Sequence, residues 1–189
     1  MDETLIHCNE SSAVKSDVTL PIKFPTGQLI EAGINIRPYT IETLKELSQY
    51  YEIIVFTASH SCYANVVLNF LDPENQYISY RLFRDHCIQT EEGIFIKDLR
   101  VLENRNMEEM LIIDNAAYSF GFQIENGVPI LPFYDNKEDR ELLSLRNYLM
   151  GVRECRDVRE INKRMFRLGE MGGFQEPEEA VKGLFGDCF

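Results

Sequence analysis

Two short, almost wholly apolar runs that end in a polar residue restrict the fold more than any other feature of the sequence. Residues 52–57 (EIIVFT) and 110–114 (MLIID) have the length of strands but lack the alternation of a half-exposed strand. Such runs are typical of parallel strands that are buried on both faces. A third run at 128–131 is followed by a helical pattern at 138–150. Alternating strands and helices predict a doubly wound α/β sheet, with ligands at the carboxyl ends of its strands.

Other segments predict a hairpin and two more helices. The β-like runs 18–24 and 28–36 are joined by Pro25-Thr26-Gly27, which indicates a β-hairpin. Shorter strand-like pieces occur in residues 77–84 and 87–97.

Helical patterns occupy residues 40–50 and 62–71. Thr40 is the predicted N-cap of the first helix, and Ser59 or Ser61 that of the second, because hydroxyl side chains satisfy the first free N–H groups of a helix.

The end of the chain differs in character. Apolar residues recur at helical spacing through residues 151–168, among six arginines and lysines. This predicts an amphipathic helix, which either packs back on the domain or binds a partner. Residues 169–189 are glycine-rich and acidic, and we expect a flexible tail there.

Composition narrows the function. A formal net charge of −12 argues against general nucleic-acid binding, because the phosphate backbone would be repelled. No apolar run reaches the roughly 18 residues that a membrane span needs. The cysteines are odd in number and lack CxxC spacing, so we expect free thiols in the cytoplasm or nucleus. They are Cys8, Cys62, Cys87, Cys155 and Cys188.

Polar residues at or near predicted strand ends form an ordered series. Asp2-Glu3-Thr4 opens the chain, Thr57 follows EIIVF, Lys97 comes next, and Asp114-Asn115 follows MLII. Each is ordinary when taken alone, since an aspartate at a strand end is often a helix cap and a lone lysine is usually a surface charge. The order of the series favours chemistry on a phosphoryl group.

Five motifs in the same order resemble the RNA polymerase II C-terminal-domain phosphatase family of the haloacid-dehalogenase superfamily. The small phosphatase-like and Dullard group is the most similar. The motifs are DETLIHC, VFTASHSCYAN, RLFRDHC, FIKDL and LIIDN. The resemblance spans about residues 2–150, and it implies a Rossmann-like parallel sheet flanked by helices, with a small β-hairpin insertion.

The family motif D-x-D-x-T implies a role for the start of the chain. Asp2 matches the second aspartate and Thr4 the threonine, so the nucleophilic aspartate would lie two positions before Asp2. We therefore expect an N-terminally truncated phosphatase domain at residues 1–150, whose first central strand is missing.

The resemblance also implies the other roles. Asp2 would act as general acid and base, Thr57 would hold a phosphoryl oxygen, and Lys97 would place its ammonium on the phosphoryl group. Asn115 and the backbone carbonyl of Asp2 would bind Mg²⁺, and Asp114 would orient the metal shell or Lys97.

Arg84 and Thr4 are the predicted substrate-binding residues, although Arg84 could equally be a surface arginine. The chain departs from the family at Ala116-Ala117, where Ser-Pro is usual, and at Phe133-Tyr134, where Trp-Phe is usual. We expect the alanines to loosen the turn after Asp114.

The resulting prediction is a Mg²⁺-dependent protein serine/threonine phosphatase that forms an aspartyl-phosphate. Its partner would be a phosphorylated protein segment. The alternative is an inactive paralogue or pseudophosphatase that binds phosphopeptides. A small-metabolite phosphatase is less favoured, because the chain between Thr57 and Lys97 is too short for a large cap domain.

Overall fold

The structure is a computed structural model that describes residues 1–9 and 15–170. The chain divides into two compact units. The first comprises Met1–His86 and Leu131–Arg153, and the second comprises Cys87–Ile130 and the chain from Glu154 onward.

The first unit contains an antiparallel sheet of three strands. These are β1 (Ile6–Asn9), β2 (Val18–Lys23) and β3 (Leu29–Ile36), in the order β1–β3–β2. The predicted hairpin is confirmed, since β2 and β3 pair antiparallel. Gly27 has a φ of +88° in its turn, a conformation that glycine adopts without a steric penalty.

The same unit contains a parallel pair of strands with the predicted helices. The helices are α1 (Thr40–Leu47), α2 (Ser61–Leu71) and α3 (Glu141–Val152). The strand β4 (Ile53–Phe56) pairs in parallel with β5 (Ile78–Leu82). The apolar run EIIVFT is therefore a strand of a parallel pair, as predicted.

Both predicted helix caps are wrong. Tyr39 occupies the N-cap position of α1 with a φ of 68°, and Thr40 is the first helical residue. The Thr40 hydroxyl instead donates to the carbonyl oxygens of Leu5 (3.0 Å) and Arg37 (2.8 Å). His60 precedes α2 without a side-chain cap. The Thr40 hydroxyl thus donates to one distant and one local carbonyl instead of capping the helix.

The core of the first unit lies between the antiparallel sheet and the helices. Buried residues of α2 recur at spacings of three and four, which places them on one face of the helix. The core residues are Met1, Ile6, Leu20, Ile22, Ala32, Ile34, Leu44, Val55, Ala64, Val67, Leu68, Leu71 and Ile78.

The second unit contains a small hairpin and another parallel pair. The hairpin is formed by β6 (Ile88–Gln89) and β7 (Phe95–Ile96), which confirms the small insertion. The strands β8 (Ile112–Asp114) and β9 (Gly127–Pro129) pair in parallel.

A 3₁₀ segment, Ala117–Asn126, joins β8 to β9. A Cβ atom at Gly127 would lie 2.1 Å from the Phe120 ring, so that position requires glycine. The core of this unit consists of Leu99, Met110, Ile112 and Phe120.

The predicted helix at residues 151–168 is divided. The helix α3 continues to Val152, and α4 (Val158–Phe166) begins after Asp157, whose side chain accepts a hydrogen bond from the Arg159 N–H (3.0 Å). Several of the basic residues already pair with acids of the second unit: Arg159 with Asp157 and Glu108, Lys163 with Glu125, and Arg164 with Glu160. The predicted flexible tail lies outside the described residues from residue 171 onward.

Candidate active site

Asp2 lies in a tight turn of the first unit. The Met1 carbonyl accepts hydrogen bonds from the N–H groups of Thr4 (3.3 Å) and Leu5 (2.8 Å). Glu3 has a φ of 49°, which is uncommon for a residue other than glycine, and its carbonyl accepts from the Phe133 N–H (2.8 Å). The turn fixes the backbone on both sides of the Asp2 carboxylate.

Three hydroxyl groups donate to the Asp2 carboxylate. Ser59 and Thr57 donate to Oδ2 at 2.9 Å and 3.3 Å, and Tyr63 donates to Oδ1 at 2.9 Å. Thr57 follows β4, is buried, and donates its N–H to the Leu82 carbonyl at 2.9 Å. The chain fold thus brings Thr57 and Asp2 together, although 55 residues separate them.

Tyr63 is the donor in its bond to Asp2. Burial raises the pKa of the Tyr63 phenol well above its ordinary range, and the charge of the Asp2 carboxylate raises that pKa further. The phenol therefore stays protonated. The sequence alone did not single out Tyr63, and it indicated Ser59 only as a helix cap. The one signal for both was their position just beyond Thr57, with Ser59 in the loop and Tyr63 in the first turn of α2.

Thr4 is buried and contributes its backbone to the turn. Its carbonyl accepts a hydrogen bond from Nη1 of Arg37 (3.1 Å), a side chain that is only 1% exposed. Arg37 also makes a bidentate pair with Asp139, at 2.8 Å and 2.9 Å. This guanidinium supports the turn that carries Asp2, a role that no local pattern in the sequence indicates.

Arg84 is attached to the loop that follows Thr57. Its Nε donates to the Ala58 carbonyl (2.6 Å), its backbone N–H donates to the Ser59 carbonyl (3.1 Å), and its Nη1 contacts Nε2 of His60 (2.9 Å). The guanidinium thus has a structural role in this loop. A substrate-binding role stays a prediction.

In the second unit, the side chains of Lys97 and Asp114 form a buried ion pair. Nζ of Lys97 donates to Oδ2 of Asp114, and the two residues are 6% and 4% exposed. Lys97 follows β7, and its N–H donates to the Ser119 carbonyl (2.6 Å). The lysine predicted from FIKDL is therefore not a surface charge.

The turn after Asp114 is closed. Oδ1 of Asp114 accepts from the Ala116 N–H (2.9 Å), and the Ala116 carbonyl accepts from the Ser119 N–H (2.9 Å). The expected loosening at Ala116-Ala117 is not observed. The next residue, Asn115, carries an amide oxygen of the kind that suits a metal ligand.

The described residues contain no group of three or more histidine, cysteine or acidic side chains that could hold a metal ion. The predicted donors are instead the Asn115 amide oxygen and the Asp2 carbonyl. Hard oxygens of this kind fit Mg²⁺, which keeps several waters and phosphate oxygens among its ligands.

Asp2, Thr57 and Arg84 belong to the first unit, whereas Lys97, Asp114 and Asn115 belong to the second. The structure brings Asp2 to Thr57 and Lys97 to Asp114. The convergence of all the predicted residues on one phosphoryl group stays a prediction.

Parallel strand pairs, with Thr57 after β4 and Asp114 at the end of β8, place the chain in the α/β class. Within that class the chain belongs to the NLI interacting factor-like phosphatase family, whose sequence profile matches residues 1–159. The family resemblance and the fold class are therefore confirmed.

Relatives and a solved structure agree with this assignment. CTD small phosphatase-like protein 2 of Dictyostelium discoideum is 39% identical over 171 residues, which are 90% of this chain and 30% of that protein. The mitochondrial import inner membrane translocase subunit TIM50 of Candida glabrata is 37% identical over 152 residues, which are 79% of this chain and 31% of that protein. The chain thus spans less than a third of either relative.

The solved structure of Fcp1, an essential RNA polymerase II CTD phosphatase, matches with a TM-score of 0.60 at 20% identity. The match covers 96% of this chain and 55% of Fcp1. This likeness establishes the shared fold.

Proposed function

We propose that the chain belongs to a Mg²⁺-dependent protein serine/threonine phosphatase that acts through an aspartyl-phosphate. The observation that carries this proposal is the hydrogen-bonded pair of Asp2 and Thr57. It joins the second acid of the D-x-D-x-T motif to the hydroxyl of the next motif. A proton-transferring carboxylate beside a phosphoryl-binding hydroxyl is what such a reaction requires.

The side chains then divide the chemistry. A carboxylate two positions before Asp2 would attack phosphorus and form the acyl-phosphate, as the family motif implies. Asp2 would give its proton to the leaving serine or threonine oxygen and later take one from the attacking water. Hydrogen bonds from Ser59 and Tyr63 would keep its carboxyl group oriented through both steps.

Lys97 and Asn115 would act on phosphoryl charge and metal. The Lys97 ammonium would neutralise charge on the transferring group, and Asp114 would hold that ammonium in place. Asn115 and the Asp2 carbonyl would bind Mg²⁺, which supplies further charge neutralisation when bound.

The substrate would be a phosphorylated, extended segment of a protein, one that contains proline, by analogy with the family. Residues 58–96 contain only α2, β5, a 3₁₀ turn and the small hairpin between Thr57 and Lys97. A segment of this size offers no large cap to enclose a small metabolite. We place the protein in the nucleus or cytoplasm, because the four cysteines of the described residues form no disulfide. They are Cys8, Cys62, Cys87 and Cys155.

Other partners are less favoured. The net charge of −12 disfavours nucleic acid, and no described helix is long and apolar enough to cross a membrane. The helix α4 is a further surface for a protein partner, through Lys163 and Arg164, whose side chains are 58% and 81% exposed although each pairs with an acid.

A second candidate is a non-catalytic module that binds phosphorylated segments. A relative named as a translocase subunit rather than a phosphatase favours keeping this alternative. The two functions differ in whether an aspartate stands two positions before Asp2.

The test is turnover by a protein that carries this aspartate. An apolar strand that ends in an aspartate is added directly before Met1, so that this aspartate stands two positions before Asp2. Hydrolysis of an aryl phosphate and of a phosphoserine peptide is then followed with Mg²⁺. We expect turnover by the extended protein and none by residues 1–189 alone. Equal rates for the two proteins would contradict the proposed nucleophile.

Lys97→Ala in the extended protein should lower kcat about a hundredfold or more, because one charge at the phosphoryl group is removed. The matched control is Lys137→Ala, which removes a half-exposed lysine that pairs with Asp17. Circular dichroism checks that both variants fold. If Lys97→Ala had the same rate as Lys137→Ala, Lys97 would have only a structural role and the proposed action on the phosphoryl group would be refuted.

A further inference from the structure

Arg81 on β5 is held by three asparagines. Its Nη1 donates to Oδ1 of Asn65 (3.0 Å) and of Asn69 (2.7 Å), and its Nη2 donates to Oδ1 of Asn75 (2.7 Å). Asn65 and Asn69 lie one turn apart on α2, and Asn75 lies in the loop before β5. A guanidinium is thus fixed in one orientation by neutral groups alone.

No carboxylate of the described residues forms an ion pair with Arg81. Asp72 is near enough to interact with it through space. However, the oxygens of Asp72 accept from the backbone N–H groups of Gln76 (2.8 Å), Tyr77 (2.9 Å) and Ile78 (2.9 Å). In a chain with a net charge of −12, an oriented arginine without a paired acid is unusual.

The hydrogen-bond inventory leaves several donors around this guanidinium. The three bonds use three of the five N–H donors of Arg81, so the Nε–H and one Nη2–H remain. N–H donors of a guanidinium are groups that bind oxyanions. Because arginine has no acceptor, each asparagine must turn its oxygen inward, which leaves both N–H groups of its amide available.

The cluster is accessible and lies away from Asp2. Asn69 and Asn75 are exposed, whereas Asn65 and Arg81 are half-buried. Tyr63 contacts Asp2 from α2, and at about 100° per residue Asn65 lies about 200° around the helix from it. The two sites therefore use opposite faces of α2.

We propose that Arg81, Asn65, Asn69 and Asn75 form a second binding site, for a phosphoryl group, which does not depend on the proposed catalysis. A phosphoryl dianion offers three acceptor oxygens, which could accept from the remaining N–H donors of Arg81 and from the asparagine amides. The phosphoryl group would come from a phosphorylated polypeptide segment or from free phosphate.

The test reads the site directly and needs no turnover. Residues 1–189, labelled with ¹⁵N in a phosphate-free buffer, are titrated with a phosphoserine peptide, its unphosphorylated form, inorganic phosphate and sodium chloride at matched ionic strength. The NMR signals of the Arg81 Nε–H and the three asparagine side chains report binding. We expect saturable shifts with the phosphorylated peptide or phosphate and none with the other two ligands.

The two phosphorylated ligands distinguish the sources. Tighter binding of the phosphoserine peptide identifies a polypeptide segment, and equal or tighter binding of inorganic phosphate identifies the free anion. Shifts that sodium chloride reproduces would overturn the proposal, because they would report only general screening.

Asn65→Asp is the decisive variant. It places a carboxylate against the guanidinium, so the fold keeps a partner for Arg81 while the site loses its net positive charge. We expect the affinity for the phosphorylated ligand to fall at least about tenfold, or about 1.4 kcal/mol. Arg81→Gln should have the same effect. Arg156→Gln, at an exposed arginine of the second unit, is the matched control and should bind normally. Unchanged affinity of Asn65→Asp would refute the site.

Discussion

Replacement of Arg37 by methionine tests how the turn that carries Asp2 is held. The Arg37 side chain is almost wholly buried and donates to both oxygens of Asp139. It also donates to the carbonyls of Thr4 (3.1 Å) and Leu131 (2.9 Å), and it lies 5.6 Å from the centre of the Phe133 ring. One guanidinium therefore connects three segments of the first unit.

The expected cost follows from these partners. Methionine fills a similar volume but leaves the Asp139 carboxylate, 11% exposed, without its cation and two carbonyls without their donor. Loss of one member of a buried charge pair typically costs about 3–5 kcal/mol. Because a domain is stable by only about 5–15 kcal/mol, we expect Arg37→Met to lose a large part of the free energy of unfolding.

Urea denaturation followed by circular dichroism measures this change, and a double-mutant cycle identifies its cause. In the wild type, Oδ1 of Asp139 accepts a hydrogen bond from the Glu141 N–H (3.1 Å). Asp139→Asn removes the acidic charge but keeps a side-chain oxygen for this bond. The double variant no longer buries an unpaired carboxylate. Its cost should therefore be smaller than the sum of the single costs by about 2 kcal/mol.

The cycle has two outcomes that refute the reasoning. A loss below about 1 kcal/mol for Arg37→Met would mean that water or another side chain replaces the guanidinium. Additive costs in the double variant would mean that the ion pair with Asp139 does not carry the effect.

Two further predictions concern Asp2 and Asp72. In the extended protein, Tyr63→Phe should lower kcat about tenfold with little change in KM, because one orienting hydrogen bond to Asp2 is lost; a change in KM alone would contradict a positioning role. Burial alone would raise the pKa of Asp72, but three backbone hydrogen bonds and the charge of Arg81 lower that pKa below its usual value. Asp72 thus adds stability above its unfolded pKa of about 3.9 and loses it as the pH falls through the folded pKa. Urea midpoints below about pH 4 should fall less steeply for Asp72→Asn than for the wild type, and equal slopes would refute this.

The strands were predictable because their signal is local. The run EIIVFT has the length and apolar character of a strand, and it forms β4 in a parallel pair. The predicted burial on both faces is only partial, since Val55 alone in β4 is fully buried. The hairpin of β2 and β3 was predictable for the same reason, since alternation and a Pro-Thr-Gly turn are sufficient to specify it. Bounds were less accurate: the first helix ends at Leu47 rather than Tyr50.

The contacts around Asp2 were not predictable because they join distant parts of the chain. Tyr63 is 61 residues from Asp2 in sequence, and Arg37 is 102 residues from Asp139. Helical periodicity indicates which residues of α2 face the core, but it does not tell which polar side chain will meet a carboxylate. The break before α4 was hidden likewise, since the apolar spacing continues across Asp157.

The surroundings of Asp2 also bear on the choice between an enzyme and a binding module. A site that only binds a phosphoryl group requires donors and cations, and a carboxylate beside the phosphoryl-binding hydroxyl would repel the ligand. Here Thr57 donates to such a carboxylate, and Ser59 and Tyr63 hold it in place. Two further hydroxyls that orient an acid against Thr57 are unfavourable for anion binding and useful for proton transfer. The arrangement therefore favours the proposed catalysis over binding alone.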